Sequence, residues 1–200
     1  KKGYLTFGSF NQSSKINAEV IALWSKILTH LPSSQLILKY YEFRSKDTQE
    51  RFWKLFEEKG VSRERLQLLP FTPLRENHLS LYHRVDIALD PFPYNGHTTS
   101  MEALYMGVPV ITMKGQTAFG RVTYSFLSVL GLEELVADNQ DEYFDRAITL
   151  AKNIPRLKEL HQNLRDRLLN SPLCDQPSFM KEIETFYVDI WQHGCYFFKP

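Results

Sequence analysis

The chain has 200 residues, which is enough for one well-developed hydrophobic core or two small ones. Hydrophobic residues make up 43% and charged residues 24%, as in ordinary globular domains, and this composition excludes an intrinsically disordered chain. The formal net charge of +1 indicates no nucleic-acid or membrane partner, and no apolar run approaches the roughly 18–20 residues that span a bilayer.

Short apolar runs alternate with amphipathic segments from the start of the chain to about residue 113. Strands are predicted over 4–10, 36–38, 66–69, 85–90 and 108–113. Helices are predicted from Asn17 onwards, over 49–59 with Gly60 as the stop, over 76–83 and over 100–106. This alternation predicts an α/β fold, a doubly wound parallel sheet of the Rossmann-like type with helices on both faces.

Beyond about Gln140 the pattern is helical, with helices predicted over 143–150, 155–169 and 179–191. No internal repeat or linker interrupts the chain, so we predict a single domain over 1–200 that ends in a helical tail over 140–200. In a doubly wound sheet, ligands bind beyond the carboxyl ends of the strands. The turns after Phe10, Leu69, Asp90 and Met113 therefore form the predicted site.

The turn after Asp90 carries Asn95-Gly96-His97-Thr98-Thr99. Asn95 and Gly96 suit a tight turn, including one with a left-handed backbone. One interpretation of the threonines is an anion site, because unpaired N–H groups at a helix N-terminus bind phosphate. The other is a plain capping box over Thr99–Glu102, and the pattern favours neither. His97 could donate an imidazole N–H to a phosphate. A lone histidine is more commonly structural, but the place of His97 before two threonines at a predicted helix start leaves both interpretations open.

Other candidate residues lie in the loops at the same sheet edge. Lys15 could stabilise a diphosphate leaving group, whereas an isolated lysine is ordinarily a solvated surface residue. Glu102 could accept a hydrogen bond from a ribose hydroxyl instead of capping the helix, although the pattern by itself favours the cap. Arg75 and His78 are three residues apart and could share one helix face, although the pattern by itself favours an ordinary helix start. Gln12 is by pattern more typical of a turn than of a ligand contact.

Other chemistry has little support in the sequence. There is no Walker A loop, no G-x-S-x-G elbow and no C-x-x-C, and no pair of histidines at helical i, i+4 spacing suggests a metal site. Cys174 and Cys195 are too few for a disulfide framework, so we expect a reducing, cytoplasmic setting. The chain starts Lys1-Lys2-Gly3 without an initiator Met, and we expect it to be a piece of a longer protein.

The same loops carry a family likeness. The chain resembles the carboxyl-terminal half of the catalytic region of the O-linked N-acetylglucosamine transferase and SPINDLY family, which are glycosyltransferases of the two-Rossmann type called GT-B. The resemblance extends in order over nearly the whole chain. The matching elements are Phe10-Asn11-Gln12 with Lys15-Ile16, Asp86-Ile87-Ala88-Leu89-Asp90, Asn95-Gly96-His97-Thr98-Thr99, Gly107-Val108-Pro109-Val110-Ile111-Thr112-Met113, Arg121, Leu130-Gly131-Leu132 and Ser171-Pro172-Leu173.

The resemblance implies a nucleotide-sugar-binding domain. Lys15 would contact the diphosphate and Glu102 would hold the ribose, where animal-type enzymes carry Asp. The full set of residues that the resemblance assigns to nucleotide-sugar binding is Gln12, Lys15, Arg75, His78, His97, Thr98, Thr99 and Glu102. Two departures are visible: the loop before Arg75 is one residue longer, and Leu81 stands where animal-type enzymes have a basic residue.

The donor sugar is also addressed by the resemblance. Plant SPINDLY proteins carry Thr at the position of His97 and use GDP-fucose, so His97 favours a UDP-sugar. Three other segments look more like SPINDLY: Gly8-Ser9-Phe10-Asn11, Phe92-Pro93-Tyr94 and Leu104-Tyr105-Met106-Gly107-Val108-Pro109.

The expected function is donor binding in an inverting protein O-glycosyltransferase that transfers N-acetylglucosamine from UDP-GlcNAc to Ser or Thr of proteins, with no metal or other cofactor. Lys15 would be the catalytic residue. The acceptor base and the protein-acceptor groove would come from an amino-terminal half, and the tail over 140–200 would pack on this domain or on that half. The isolated chain would then bind nucleotide with little or no turnover. The alternatives are a SPINDLY-like O-fucosyltransferase that uses GDP-fucose and a non-catalytic nucleotide-binding or interaction domain.

Overall fold

Six parallel strands form one sheet in a computed structural model that describes residues 3–194. The strands are β1 (Thr6–Ser9), β2 (Gln35–Lys39), β3 (Leu66–Leu69), β4 (Ile87–Leu89), β5 (Val110–Met113) and β6 (Val136–Ala137). Their order across the sheet is β3-β2-β1-β4-β5-β6, and each neighbouring pair is parallel. The winding reverses between β1 and β4, which confirms the predicted doubly wound fold class.

Eight α-helices connect or follow these strands within the described residues. They are α1 (Ala18–His30), α2 (Lys46–Glu57), α3 (Arg75–Ser80), α4 (Thr98–Tyr105), α5 (Val122–Val129), α6 (Gln140–Lys152), α7 (Ile154–Leu169) and α8 (Gln176–Gly194). Local sequence explains several of their ends. Asn17 caps α1 by accepting a hydrogen bond from the Val20 N–H, and Gly60, with φ of 82°, adopts the left-handed backbone that follows α2. None of the helices within 3–194 is long and apolar enough to cross a membrane.

The hydrophobic core lies on both sides of the sheet, because the strands are buried along almost their whole length. A polar link runs through it from helix to helix. The Trp24 indole N–H of α1 donates to the Tyr143 hydroxyl of α6 over 3.3 Å, and that hydroxyl donates to the Asp90 carbonyl oxygen over 3.0 Å. The core therefore supports the loop that follows β4.

The region after residue 140 contains two kinds of helix. α6 and α7 contribute buried side chains to the core, including Tyr143 and Leu164, so they belong to the domain that carries the sheet. In α8, by contrast, Phe186 and Trp191 are 60% and 74% exposed. Two elements of the structure, α5 and β6, have no counterpart among the predicted ones. The α5 segment alternates apolar and polar residues as a strand does, and β6 has only two residues.

Candidate functional site

The loops after β1 and β4 meet at the carboxyl edge of the sheet, at the point where the strand order reverses. The Lys15 ammonium donates to the Asn95 carbonyl oxygen over 2.8 Å, and the Thr99 hydroxyl donates to the Asn11 side-chain oxygen over 2.9 Å. These pairs join residues 80 or more positions apart in the sequence. A crevice at this switch point is the usual ligand site of an open α/β sheet.

The N-terminus of α4 is uncapped. The helix begins at Thr98, earlier than predicted, and the cap residue His97 makes no side-chain capping bond. The first helical hydrogen bond runs from the Met101 N–H to the His97 carbonyl oxygen over 3.0 Å. Within the described chain, the N–H groups of Thr98, Thr99 and Ser100 have no hydrogen-bond acceptor. They are free to bind an anion.

The capping box proposed for Thr99–Glu102 is therefore wrong. With His97 as the cap, the residue that would close the box is Ser100, and Glu102 lies farther along the helix. The Glu102 carboxylate instead accepts a hydrogen bond from His78.

Asp90 holds the loop beneath this helix end. Its buried carboxylate accepts a hydrogen bond from the Gly96 N–H over 2.6 Å and another from the Thr112 hydroxyl over 2.7 Å. Burial raises the pKa of Asp90, and its hydrogen bonds act in the opposite direction. The left-handed backbone considered for Gly96 is wrong, because its φ is not positive. Space explains the glycine instead: a Cβ there would lie 2.8 Å from both Asp90 Oδ1 and Thr99 Oγ1.

Lys15 is half-buried, and its Nζ lies 4.1 Å from the centre of the Tyr94 ring. Desolvation by burial lowers the pKa of Lys15, while the negative charge of Asp90 opposes this shift. Lys15 is therefore not the solvated surface lysine of the alternative interpretation. Together with Gln12 and Tyr94 it lines an open cavity of about 530 Å³.

A second open cavity, of about 390 Å³, adjoins the α4 N-terminus. Arg75, His97, Thr98 and Glu102 line it. The His97 ring is exposed and packs at 5.9 Å from the Phe126 ring, which comes from the unpredicted helix α5. Of the residues predicted for the site, Arg75, His97, Thr98 and Glu102 thus line this cavity, and Gln12 and Lys15 line the first one. Thr99 instead donates to Asn11, and His78 faces Glu102.

His78 links two charged residues. Its Nε2 lies 2.8 Å from Glu102 Oε2, and its Nδ1 lies 2.8 Å from the Nζ of Lys39. Burial lowers the pKa of Lys39, and the charge of Glu102 opposes this shift. Sequence reasoning missed Lys39. The available signal was a lysine directly after the apolar run Leu36-Ile37-Leu38, where the strand reaches the ligand edge.

The arrangement suits a particular kind of ligand. Lys15 and the free N–H groups of α4 offer positive charge to an anion such as a diphosphate. Glu102 offers an acceptor for a hydroxyl group. Among residues 3–194, no group of three or more His, Cys, Asp and Glu side chains is assembled that could hold a metal ion.

Comparison with known sequences matches the chain to one family of glycosyltransferases. A sequence profile described as "Glycosyl transferase family 41" matches residues 2–183. The chain is 42% identical over 193 residues to the "Probable UDP-N-acetylglucosamine--peptide N-acetylglucosaminyltransferase SPINDLY" of Solanum lycopersicum, which is 96% of this chain and 21% of that protein. It is 30% identical over 190 residues to the similarly named SEC protein of Arabidopsis thaliana, which is 94% of this chain and 19% of that protein. The chain spans about a fifth of the length of these relatives.

Solved structures agree with these matches. A mutant of the Thermobaculum terrenum O-GlcNAc transferase matches with a TM-score of 0.90 and 42% identity, over 96% of this chain and 37% of that one. The sucrose-phosphate synthase of Thermosynechococcus elongatus matches with a TM-score of 0.67 and 15% identity, over 96% of this chain and 47% of that one. The second match, at this low identity, shows the fold alone.

Proposed function

This chain belongs to glycosyl transferase family 41, and we propose that it is the donor-binding domain of a protein O-glycosyltransferase. We propose UDP-N-acetylglucosamine as the donor and Ser or Thr hydroxyls of proteins as the acceptors. The Arabidopsis SEC protein and the Thermobaculum terrenum O-GlcNAc transferase, by their names, support this donor, as does His97 at the rim of the cavity. The acceptor base and the acceptor groove would come from a part of the protein outside this chain.

One observation carries the proposal: the Lys15 ammonium lies against the loop that leads into the uncapped N-terminus of α4. A diphosphate placed there would receive one full positive charge from Lys15 and hydrogen bonds from the free N–H groups of Thr98, Thr99 and Ser100. The hydroxyl of Thr98, at the rim of the second cavity, would add a further donor.

These groups would act on the leaving group of the transfer reaction. When the bond between the anomeric carbon and the diphosphate oxygen breaks, negative charge develops on that oxygen. Lys15 and the α4 N-terminus are oriented before the reaction and would stabilise this charge without a metal ion. The acceptor oxygen would attack from the opposite side of the sugar, which gives inversion at the anomeric carbon.

Calorimetric titration with UDP tests the proposal. We expect binding by the wild-type chain and no sugar transfer by the chain alone. The absence of any UDP binding at millimolar concentration would refute the donor-binding role.

A second donor, GDP-fucose, is what the resemblance to plant SPINDLY proteins implies. The chain is 42% identical to the tomato SPINDLY protein and only 30% identical to the Arabidopsis SEC protein, so it lies nearer to SPINDLY than to SEC. Competition between UDP and GDP for the same site separates the two donors. Tighter binding of GDP than of UDP would reverse the choice of UDP-N-acetylglucosamine.

A further inference from the structure

Lys39 is a buried cation with an unusual partner. It ends β2 and is 3% exposed, and a buried ammonium in a protein normally faces a carboxylate. Within residues 3–194 Lys39 makes no salt bridge; its Nζ lies 2.8 Å from the Nδ1 of His78. The carboxylate of Glu102 lies on the far side of the His78 ring, 2.8 Å from Nε2.

The chemistry of these groups decides where the imidazole proton lies. An ammonium has three N–H donors and no acceptor, so the Nδ1 of His78 must be the unprotonated nitrogen that accepts. The ring proton is then on Nε2, which donates to Glu102. The rings of Phe10 and Tyr82 pack against each other at 4.4 Å, and the imidazole packs beside them at centroid distances of 5.8 Å and 5.7 Å.

We propose that Lys39 is a positioning residue of the donor site, which fixes the Nε2–H tautomer of His78 and through it the orientation of the Glu102 carboxylate. With the opposite tautomer, the Nε2 lone pair would face the carboxylate and repel it. Within the described residues only Oε2 of Glu102 makes a hydrogen bond, so the arrangement keeps Oε1 available for a ribose hydroxyl. The consequence for binding rests on the proposed donor-binding function.

Nitrogen-15 NMR of labelled histidine tests the tautomer directly and needs no ligand. We expect the wild-type chain to show His78 as a single Nε2–H tautomer. Lys39→Met removes every N–H donor of this side chain while keeping a long apolar one. In this variant His78 should appear as mixed tautomers or as the imidazolium instead of the single Nε2–H tautomer. Lys39→Arg keeps N–H donors and should retain the Nε2–H tautomer. Lys54→Met, on the exposed side of α2, is the charge-matched control and should leave the signal unchanged.

Nucleotide affinity gives the second measurement. Lys39→Met should weaken binding of both UDP and uridine about tenfold, which corresponds to about 1.4 kcal/mol, because the ribose contact is common to both. Thermal unfolding of each variant separates this effect from loss of the fold. An Nδ1–H tautomer in the wild type, or an unchanged tautomer or an unchanged affinity in a folded Lys39→Met variant, would overturn the proposal. If the wild type bound no UDP, the donor-binding function would fail, while the NMR signal would still decide the role of Lys39.

Discussion

Replacing Lys15 by Met should weaken UDP binding without altering uridine binding. The substitution removes the ammonium and keeps most of the side-chain volume. A hydrogen bond to a charged group contributes about 1.5–3 kcal/mol. Lys15 is only half-buried, so solvent screening places the expected loss near the lower end of that range, at about 1.5 kcal/mol. This loss corresponds to about a tenfold increase in the dissociation constant for UDP.

The assay is calorimetric titration of the wild type and Lys15→Met with uridine, UMP and UDP. Lys26→Met, an exposed lysine of α1, is the matched control and should bind all three as the wild type does. The loss should grow from uridine to UDP, because the proposed partner of Lys15 is the phosphate and not the ribose. An equal loss for uridine and UDP, or an unchanged affinity for UDP, would refute the reasoning.

Three further substitutions address the support beneath the site. Tyr143→Phe should lower the free energy of unfolding in urea by about 1–3 kcal/mol, because the Trp24 indole N–H loses its acceptor and the Asp90 carbonyl loses its donor. The control Tyr187→Phe, on exposed α8, should change this free energy little. Gly96→Ala should lower the free energy of unfolding by about 1–3 kcal/mol through overpacking, and it should weaken UDP binding. A variant with wild-type stability and wild-type UDP affinity would contradict the close contacts at this position. Asp90 has a folded pKa above its ordinary value of 3.8, so its contribution to stability is present below that value and is lost as the pH rises through the folded pKa. The wild type should therefore lose stability relative to Asp90→Asn as the pH rises from about 3.8, and a pH-independent difference between the two unfolding curves would exclude this.

Local sequence patterns were sufficient to predict the order of most strands and helices. The alternation of short apolar runs with amphipathic segments predicts five of the strands in the correct order, because strands buried on both faces must be continuously apolar. The same reasoning missed α5, whose alternation of apolar and polar residues is typical of a strand, and β6, which is too short to carry a pattern. Both lie where tertiary packing and not local preference selects the conformation.

Within the site, residue type indicated candidates but not partners. The motif Asn95-Gly96-His97-Thr98-Thr99 and Lys15 could be identified from the chain and from the family resemblance. The sequence could not decide whether Glu102 caps α4 or faces a ligand, because the answer depends on the residue at which the helix begins. The sequence also suggested the wrong reason for Gly96, a left-handed backbone. The actual reason is crowding by Asp90 and Thr99, whose side-chain positions only the folded chain defines.

By itself the sequence determined the fold class, the family and the residue types available to the site, because these depend on local periodicity and on short motifs. The tertiary structure decided how those residues act together. It brought Lys15 to Asn95 across 80 positions, left the N–H groups of Thr98, Thr99 and Ser100 without acceptors among the described residues, and buried Lys39 against His78. The physical reason is that hydrogen-bond partners and desolvation are properties of the folded arrangement, set by the reversal of strand order between β1 and β4.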